Sequence, residues 1–301
     1  MRALVTGAGG FVGPYLVAHL EQMGDEVVAT DRQGDTPLDV VDSAATLATI
    51  AQRRPEVVYH LAAFAHVGDS WTAREEVLRV NVLGTANVLA AAVGVGVGRV
   101  VVVGSAEEYG RVTAAEVPLR EDAPLRPASP YAASKVAAAY LALQAYLGDG
   151  LATVRVRPFN HVGAGQSDRY VVAALAARIA AAERADGDEV RVGSLDPVRD
   201  ITDVRDVVRA YRALAVSGEP GEVYNVCTGT GVSVRDIAER LLQSANRPLR
   251  LVPDPELVRP VDVPCLVGDP TKVRAATGWA PERDLDTTLA DVLDDARRRA
   301  R

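Results

Sequence analysis

Two short stretches carry side chains whose types and spacing suit proton transfer. In "SPYAASK", residues 129–135, Tyr131 and Lys135 stand at i and i+4. On a helix that spacing stacks both on one face. Ser129 and Pro130 read as N-cap and first helical position, so Tyr131 falls in the first turn. A free tyrosine, with a pKa of about 10, is a poor acid–base group at neutral pH. A lysine one turn away and the positive end of the helix both favour its phenolate. Such a pair can pass a proton to or from a substrate oxygen. The second stretch is "GSAEEYG", residues 104–110, which follows the run "RVVVV". Ser105 and the carboxylate of Glu107 then stand at the end of a buried strand, with the inert Ala106 between them.

The elements needed to hold these residues are legible. Aliphatic runs at 3–5, 26–30, 56–62, 99–105 and 151–158 alternate with helical patterns at 12–24, 43–55, 75–93 and 130–148. Near-continuous apolar strands alternating with helices predict a parallel sheet covered on both faces, a doubly wound α/β fold of Rossmann type. After Asn160 the texture changes. Helices are predicted at 170–184, 203–216, 233–245, 270–276 and 286–299, with "EVYNVCTG" (222–229) returning to the sheet. Asp269 reads as an N-cap, Pro270 as the first helical position and Gly278 as a stop. The expected division is a dinucleotide-binding domain over 1–160 with roughly 196–228 returning to it. A smaller C-terminal substrate-binding lobe spans 161–195 and 229–301.

"TGAGGFVG" joins the first strand to the first helix, placing Gly7, Gly10 and Gly13 in G-x-x-G-x-x-G with Phe11 and Val12 inside the motif. Glycines let the backbone turn tightly and approach a pyrophosphate, whose charge the free amides of the helix start can hold. Asp31 ends the second strand, where a carboxylate accepts hydrogen bonds from the adenosine ribose and repels a 2′-phosphate, favouring NAD(H). The neighbouring Arg32 keeps NADP(H) possible, and Asp31 could also serve only to cap a turn. Asp39 and Val40 are placed to meet the adenine, or Asp39 is a helix-entry acid.

These motifs together resemble the extended short-chain dehydrogenase/reductase family. The resemblance covers essentially the whole chain and implies an NAD(P)-dependent enzyme. It assigns Ser105 to the reacting oxygen and Tyr131 to acid–base work. Lys135 would lower the phenol's pKa and hold the nicotinamide ribose. "YHLAAFAHV" (59–67) is similar to the family segment beside the cofactor, where Leu61, Ala62 and Ala63 leave room for it. Asn81 sits where the family supports the helix and a proton relay, or it is an interior amide bonded to backbone. "RPFNHVGAGQS", "VRDITDVRDVV" and "PELVRPVDVPCLVGDP" resemble the nucleotide-sugar branch, most closely its GDP-sugar enzymes. That likeness implies Asn160 on the sugar or its phosphate, and Arg199 and Arg259 on the diphosphate and nucleoside. Arginine forks suit phosphate oxygens. The alternatives are an ion pair of Arg199 with Asp200 or Asp203, and a surface-loop role for Arg259.

The implied activity is NAD(P)H-dependent reduction of the C4 ketone of a GDP-4-keto-6-deoxy-hexose, giving GDP-D-rhamnose. A 4,6-dehydratase must also remove water across C5 and C6, and the hexose dehydratases that this chain resembles carry a hydroxyl, an aspartate or serine, and a glutamate where it has Ser105, Ala106 and Glu107, so the resemblance implies that its elimination machinery is incomplete. Glu107 keeps the base position. A single glutamate there could serve as both base and acid; the alternatives are that it bonds sugar hydroxyls or is solvated with Glu108. Dehydratase and 4-epimerase are the alternatives, and a non-enzymatic nucleotide sensor is disfavoured by the intact Ser105, Tyr131 and Lys135.

The net charge of −7 argues against nucleic-acid or anionic-membrane partners. The basic C-terminal "ARRRAR" reads as a solvated helix end. No apolar run is expected to reach the roughly 18 residues of a membrane span, and no signal peptide is read. Cys227 and Cys265 read as reduced thiols of a cytoplasmic protein, and none of His60, His66 and His161 has metal-ligand spacing. The helix over 131–147 is apolar nearly all round. It is expected to pair with 73–93 across a homodimer seam; a monomer with an exposed alanine-rich surface is the alternative.

Overall fold

A computed structural model describes the chain apart from Asp186, residues 258–262, Arg301 and the side chain of Ala114. The first half runs β1 (Arg2–Thr6), α1 (Val12–Gln22), β2 (Glu26–Thr30), α2 (Ser43–Arg53), β3 (Val57–His60), α3 (Arg74–Leu78), α4 (Gly84–Val95), β4 (Arg99–Val103), α5 (Pro130–Asp149) and β5 (Thr153–Pro158). The second half continues β6 (Asn160–Val162), α6 (Val171–Arg184), β7 (Glu189–Val192), β8 (Val198–Asp203), α7 (Val204–Ser217) and β9 (Val223–Val226). It ends with β10 (Gly231–Ser233), α8 (Val234–Gln243), β11 (Arg250–Pro253), β12 (Cys265–Leu266), α9 (Thr271–Thr277) and α10 (Leu285–Arg299).

Six strands form one parallel sheet in the order β2-β1-β3-β4-β5-β9. Side chains alternate between its faces, as strand geometry requires. Val5, Tyr59 and Val101 pack with Leu16 and Leu20 of α1 and Tyr211 and Leu214 of α7. Leu4, Val58, Val100 and Val102 pack with Ile50, Val88 and Ala142 from α2, α4 and α5. Successive strands thus send alternate valines to opposite helical layers, which is why they read as continuous apolar runs. Chain order reverses between β1 and β3, so a crevice opens beyond their carboxyl ends. A separate apolar cluster joins Ile179 of α6, Ile237 of α8 and Leu293 of α10 with Val190 and Val192 of β7. Between the two, β8 pairs with β6, β10 and β12.

Two expectations need correction. The stretch Arg74–Val95 is a continuous helix of 22 residues, and an 18-residue window of it, with a mean hydropathy of 1.5, is long and apolar enough to cross a membrane. Its apolarity has another source in this fold, because α4 packs against α2, α5 and the sheet. Scattered Asn81, Thr85 and Asn87 conceal the run when charge and polarity alone are scanned. The cap of α9 is Pro270 rather than Asp269, whose carboxylate accepts the Thr271 N–H at 2.8 Å from one position earlier.

Candidate active site

The glycine turn lies between the end of β1 and the start of α1. Gly7 has φ +71°, and a Cβ there would approach the Ala62 amide nitrogen to 2.6 Å. A Cβ on Gly13 would run into the Ala8 backbone. Only glycine keeps this turn closed against the segment after β3. Phe11 caps α1 without any side-chain hydrogen bond, so its side chain leaves the first amides of the helix open. Such amides form a ready anion site.

Asp31 bends back onto this turn and accepts the Gly9 N–H at 3.0 Å and its neighbour Arg32's N–H at 2.7 Å. Asp39 accepts the Val41 N–H at 3.0 Å, so it shapes a turn as well as lining the cleft. Val40 is buried, and Asn87 holds its carbonyl at 2.9 Å. Gly7, Gly10, Phe11, Val12, Gly13, Asp31, Arg32, Asp39, Val40, Leu61, Ala62 and Ala63 all line one cleft of about 940 Å³. A glycine cradle, an uncapped helix start and a strand-end carboxylate on one wall fit a dinucleotide in extended form.

At the other end of the cleft, Ser129 caps α5 by accepting the Ala132 N–H at 3.1 Å, with Pro130 in the first turn as the sequence predicts. Tyr131 and Lys135 follow on the buried face. Burial pushes the Tyr131 phenol above the ordinary range, and a hydrogen bond with Ser105 opposes the shift. Lys135 Nζ stands 5.9 Å from the Tyr131 ring centroid and donates to the Val103 carbonyl at 2.8 Å. Burial lowers this ammonium to about 8, against the pull of Glu108. Spacing alone has Lys135 favouring a phenolate. In the free protein, burial instead keeps the phenol protonated, the form that gives a proton to a developing alkoxide.

Ser105 is held from behind. It caps a 3₁₀ turn over Ala106–Tyr109, its hydroxyl accepting the Glu107 N–H at 3.1 Å and its own N–H donating to Glu108 Oε1 at 2.9 Å. Glu108 is fully buried and is not solvated beside Glu107. Arg157 Nε donates to Glu108 Oε2 at 2.7 Å, and Arg157 also donates to the Tyr109 hydroxyl and the Glu121 carbonyl. Glu107 lines the cleft, and Ala106 beside it is 2% exposed.

Asn81 sits in a π-helical turn over Arg79–Leu83. Its amide accepts the Phe64 N–H at 2.7 Å and donates to the Phe64 carbonyl and to the Ser134 hydroxyl at 2.8 Å. It therefore ties the segment after β3 to α5. His60 is wedged between the Thr6 and Thr85 hydroxyls, and burial lowers it to about 3.

Asn160 and Arg199 line the cleft from β6 and β8. The alternative ion pairs for Arg199 are otherwise engaged. Asp200 accepts the Thr228 and Gly229 N–H groups at 2.8 and 2.9 Å, and Asp203 binds Arg205. Arg259 lies outside the described residues. His161, to which the sequence assigns no role beyond lacking metal-ligand spacing, stacks its ring on Phe11 with centroids 6.1 Å apart and planes 6° from parallel. Sequence reasoning overlooked Tyr170, Arg178 and Arg79 on the cleft wall. No motif flags the first two of these wall residues. Among the described residues no three His, Cys, Asp or Glu side chains cluster as metal ligands.

A six-stranded parallel sheet with a glycine cradle at one end of a cleft and a Ser–Tyr–Lys group at the other defines a dinucleotide-dependent oxidoreductase. The chain belongs to the NAD-dependent epimerase/dehydratase family, whose model matches residues 3–227. It is 35% identical to GDP-6-deoxy-D-mannose reductase of Pseudomonas aeruginosa, over 100% of this chain and 98% of that one. The solved structure of RMD from Pseudomonas aeruginosa with NADPH superposes with a TM-score of 0.91 at 33% identity, covering 99% of this chain and 100% of that one. UDP-glucose 4-epimerase of Thermus thermophilus with NAD superposes with a TM-score of 0.88 at 31% identity, covering 99% of each. The chain is an NAD(P)-dependent enzyme of nucleotide-sugar chemistry.

Proposed function

We propose that this enzyme reduces the C4 ketone of a GDP-4-keto-6-deoxy-hexose, converting GDP-4-keto-6-deoxy-D-mannose to GDP-D-rhamnose. The observation that carries the reading is Ala106. It stands between Ser105 and Glu107 just after β4, where the hexose dehydratases that the chain resembles carry a further polar group. Reduction needs less, and its parts are all present. Full-length similarity to a GDP-6-deoxy-D-mannose reductase supports the same choice.

The reduced nicotinamide, when bound, supplies hydride to C4. The Ser105 hydroxyl donates a hydrogen bond to the C4 oxygen and fixes its lone pairs toward Tyr131. Tyr131 Oη gives its proton to that oxygen as negative charge develops there. Lys135 holds the nicotinamide ribose and compensates the phenolate that remains. Asn160 orients the sugar, while Arg199 and Arg259 take the diphosphate and nucleoside. Glu107 bonds sugar hydroxyls.

The dinucleotide is held by Gly7, Gly10, Phe11, Val12 and Gly13 at its diphosphate. Asp31, Asp39 and Val40 meet the adenosine, and Leu61, Ala62 and Ala63 flank the chain between. Asp31 favours NADH, while Arg32 admits NADPH. Residues 1–160 and 196–228 serve the cofactor; 161–195 and 229–301 serve the nucleotide sugar. We place the enzyme in the cytoplasm as a homodimer, a reading supported by two free thiols and by the exposed Leu83, Val93, Tyr140 and Leu147 on α4, α5 and the turn before α4.

The test offers GDP-4-keto-6-deoxy-mannose with NADH or NADPH and, separately, GDP-mannose with NAD⁺ or NADP⁺. Consumption of reduced cofactor by the keto sugar is expected. Formation of keto sugar from GDP-mannose would overturn the reading in favour of a dehydratase through Glu107. NMR of the product decides between rhamnose and its C4 epimer.

A further inference from the structure

Four buried side-chain polar atoms lack a hydrogen-bond partner among the described residues: Tyr59 Oη, Arg155 Nε, Thr202 Oγ1 and Tyr211 Oη. A buried hydroxyl without a partner costs roughly 1–3 kcal/mol, so each needs a reason. Only Tyr211 also lines the cleft. The residue is fully buried, and α7 carries it against the sheet face that α1 also covers. Nothing in the catalytic scheme above uses it.

Its neighbours say which part of the cleft it serves. Tyr211 shares its apolar cluster with Val12 from the glycine-turn helix, Leu61 from the end of β3 and Val103 from the end of β4. All three line the cleft, and Val12 and Leu61 are among the residues proposed to hold the dinucleotide. The clustered residues of the substrate side, such as Ile201 and Val162, belong to a different cluster. Tyr211 also lies within electrostatic range of Tyr131. Burial first, and then that neighbour, keep its phenol above the ordinary range, so the hydroxyl remains a donor at neutral pH. A buried donor that lines the cleft, packs with Val12, Leu61 and Val103 and lies within electrostatic range of Tyr131 is placed to meet the nicotinamide end of the proposed dinucleotide site. The exocyclic polar group of that ring is its carboxamide.

We propose that Tyr211 is a cofactor-positioning residue whose hydroxyl donates a hydrogen bond to the carboxamide oxygen of the bound nicotinamide. The unpartnered donor of the free protein is thereby satisfied on binding. The proposal needs the cofactor but not the particular sugar.

The test compares Tyr211→Phe with Tyr59→Phe in the full chain. Tyr59 is the other unpartnered tyrosine hydroxyl, equally buried and absent from the cleft wall. Calorimetric titrations use NADPH against 2′-phospho-ADP-ribose, and NADH against ADP-ribose. The second ligand of each pair keeps everything but the nicotinamide. Both variants should match or exceed the wild-type melting temperature without cofactor, since each loses an unsatisfied group. Tyr211→Phe should weaken NADPH and NADH about three- to tenfold, the range of one neutral hydrogen bond. It should leave the two truncated ligands unchanged, and Tyr59→Phe should change none of the four. Unaltered NADPH and NADH affinity in Tyr211→Phe, or an equal loss for the truncated ligands, would overturn the proposal.

Discussion

The buried pair behind Ser105 makes the sharpest stability prediction. Glu108 and Arg157 are 0% and 5% exposed at their side chains and meet at 2.7 Å, so water does not screen them. Glu108→Gln keeps the side-chain shape and an oxygen for the Ser105 N–H, but removes the charge. Arg157 is left buried with only neutral acceptors, the Tyr109 hydroxyl and the Glu121 carbonyl. Breaking a buried pair by removing one charge costs about 3–5 kcal/mol. The retained neutral bonds place the expected loss near the lower end, about 3 kcal/mol. The assay is urea unfolding, with a lower midpoint and an unchanged slope. Removing both charges together, as Glu108→Met with Arg157→Met, also removes both desolvation costs and should recover at least half the loss. The activity readout is independent. Glu108 raises the Lys135 pKa, so its neutralisation should move the alkaline limb of kcat/KM to lower pH. A loss under about 1 kcal/mol, or a double variant no better than Glu108→Gln alone, would refute the reasoning.

Tyr131→Phe should lower kcat by about 10²- to 10⁴-fold in steady-state assays while titrated NAD(P)H affinity stays near wild type. Lys135 is held at about 8 in the folded chain, below its ordinary value of 10.5. Between those limits the unfolded chain binds more protons, so this lysine makes stability rise with pH, and below about 8 its full penalty is present. Lys135→Met should flatten that rise in urea unfolding across the same window. For the proposed seam, Tyr140 and Leu147 are 56% and 73% exposed on one protomer. Tyr140→Glu with Leu147→Glu should yield monomers by light scattering at micromolar concentration, against wild-type dimers.

The sheet and its helices were legible because the central strands β1, β3 and β4 spend both faces on apolar layers, and because apolar residues recur at helical spacing between them. Ser129, Pro130 and Gly278 mark boundaries through local backbone chemistry that needs no tertiary context. The short strands β6, β7, β10, β11 and β12 carry no such signal. They are pinned by pairing with β8 or with each other, which no local pattern encodes. At the site, the glycine turn and the Tyr131–Lys135 pair depend on spacing and were readable. The burial of Glu108 is not legible in sequence because its partner, Arg157, is 49 residues away and meets it only once β4 and β5 lie side by side. The protonation of Tyr131 was misread for a related reason. Spacing places Lys135 near the ring but says nothing of the Val103 carbonyl that takes its ammonium or of the burial that dominates both groups. Tyr211 reads in sequence as one more apolar position of α7; its idle hydroxyl is a property of the packed interior.

The place of β9 at the edge of the main sheet also constrains how the polypeptide emerges from the ribosome. Its pairing partner β5 ends at Pro158, yet Val223 is made only after α6, β7, β8 and α7. At about 5–20 residues per second, translation leaves the β9-facing edge of β5 open for several seconds on the nascent chain, while its other edge pairs with β4. An open strand edge without its neighbour invites pairing with other chains. A transcript cut short before Val223 would therefore release an aggregation-prone product rather than a smaller working cofactor-binding unit.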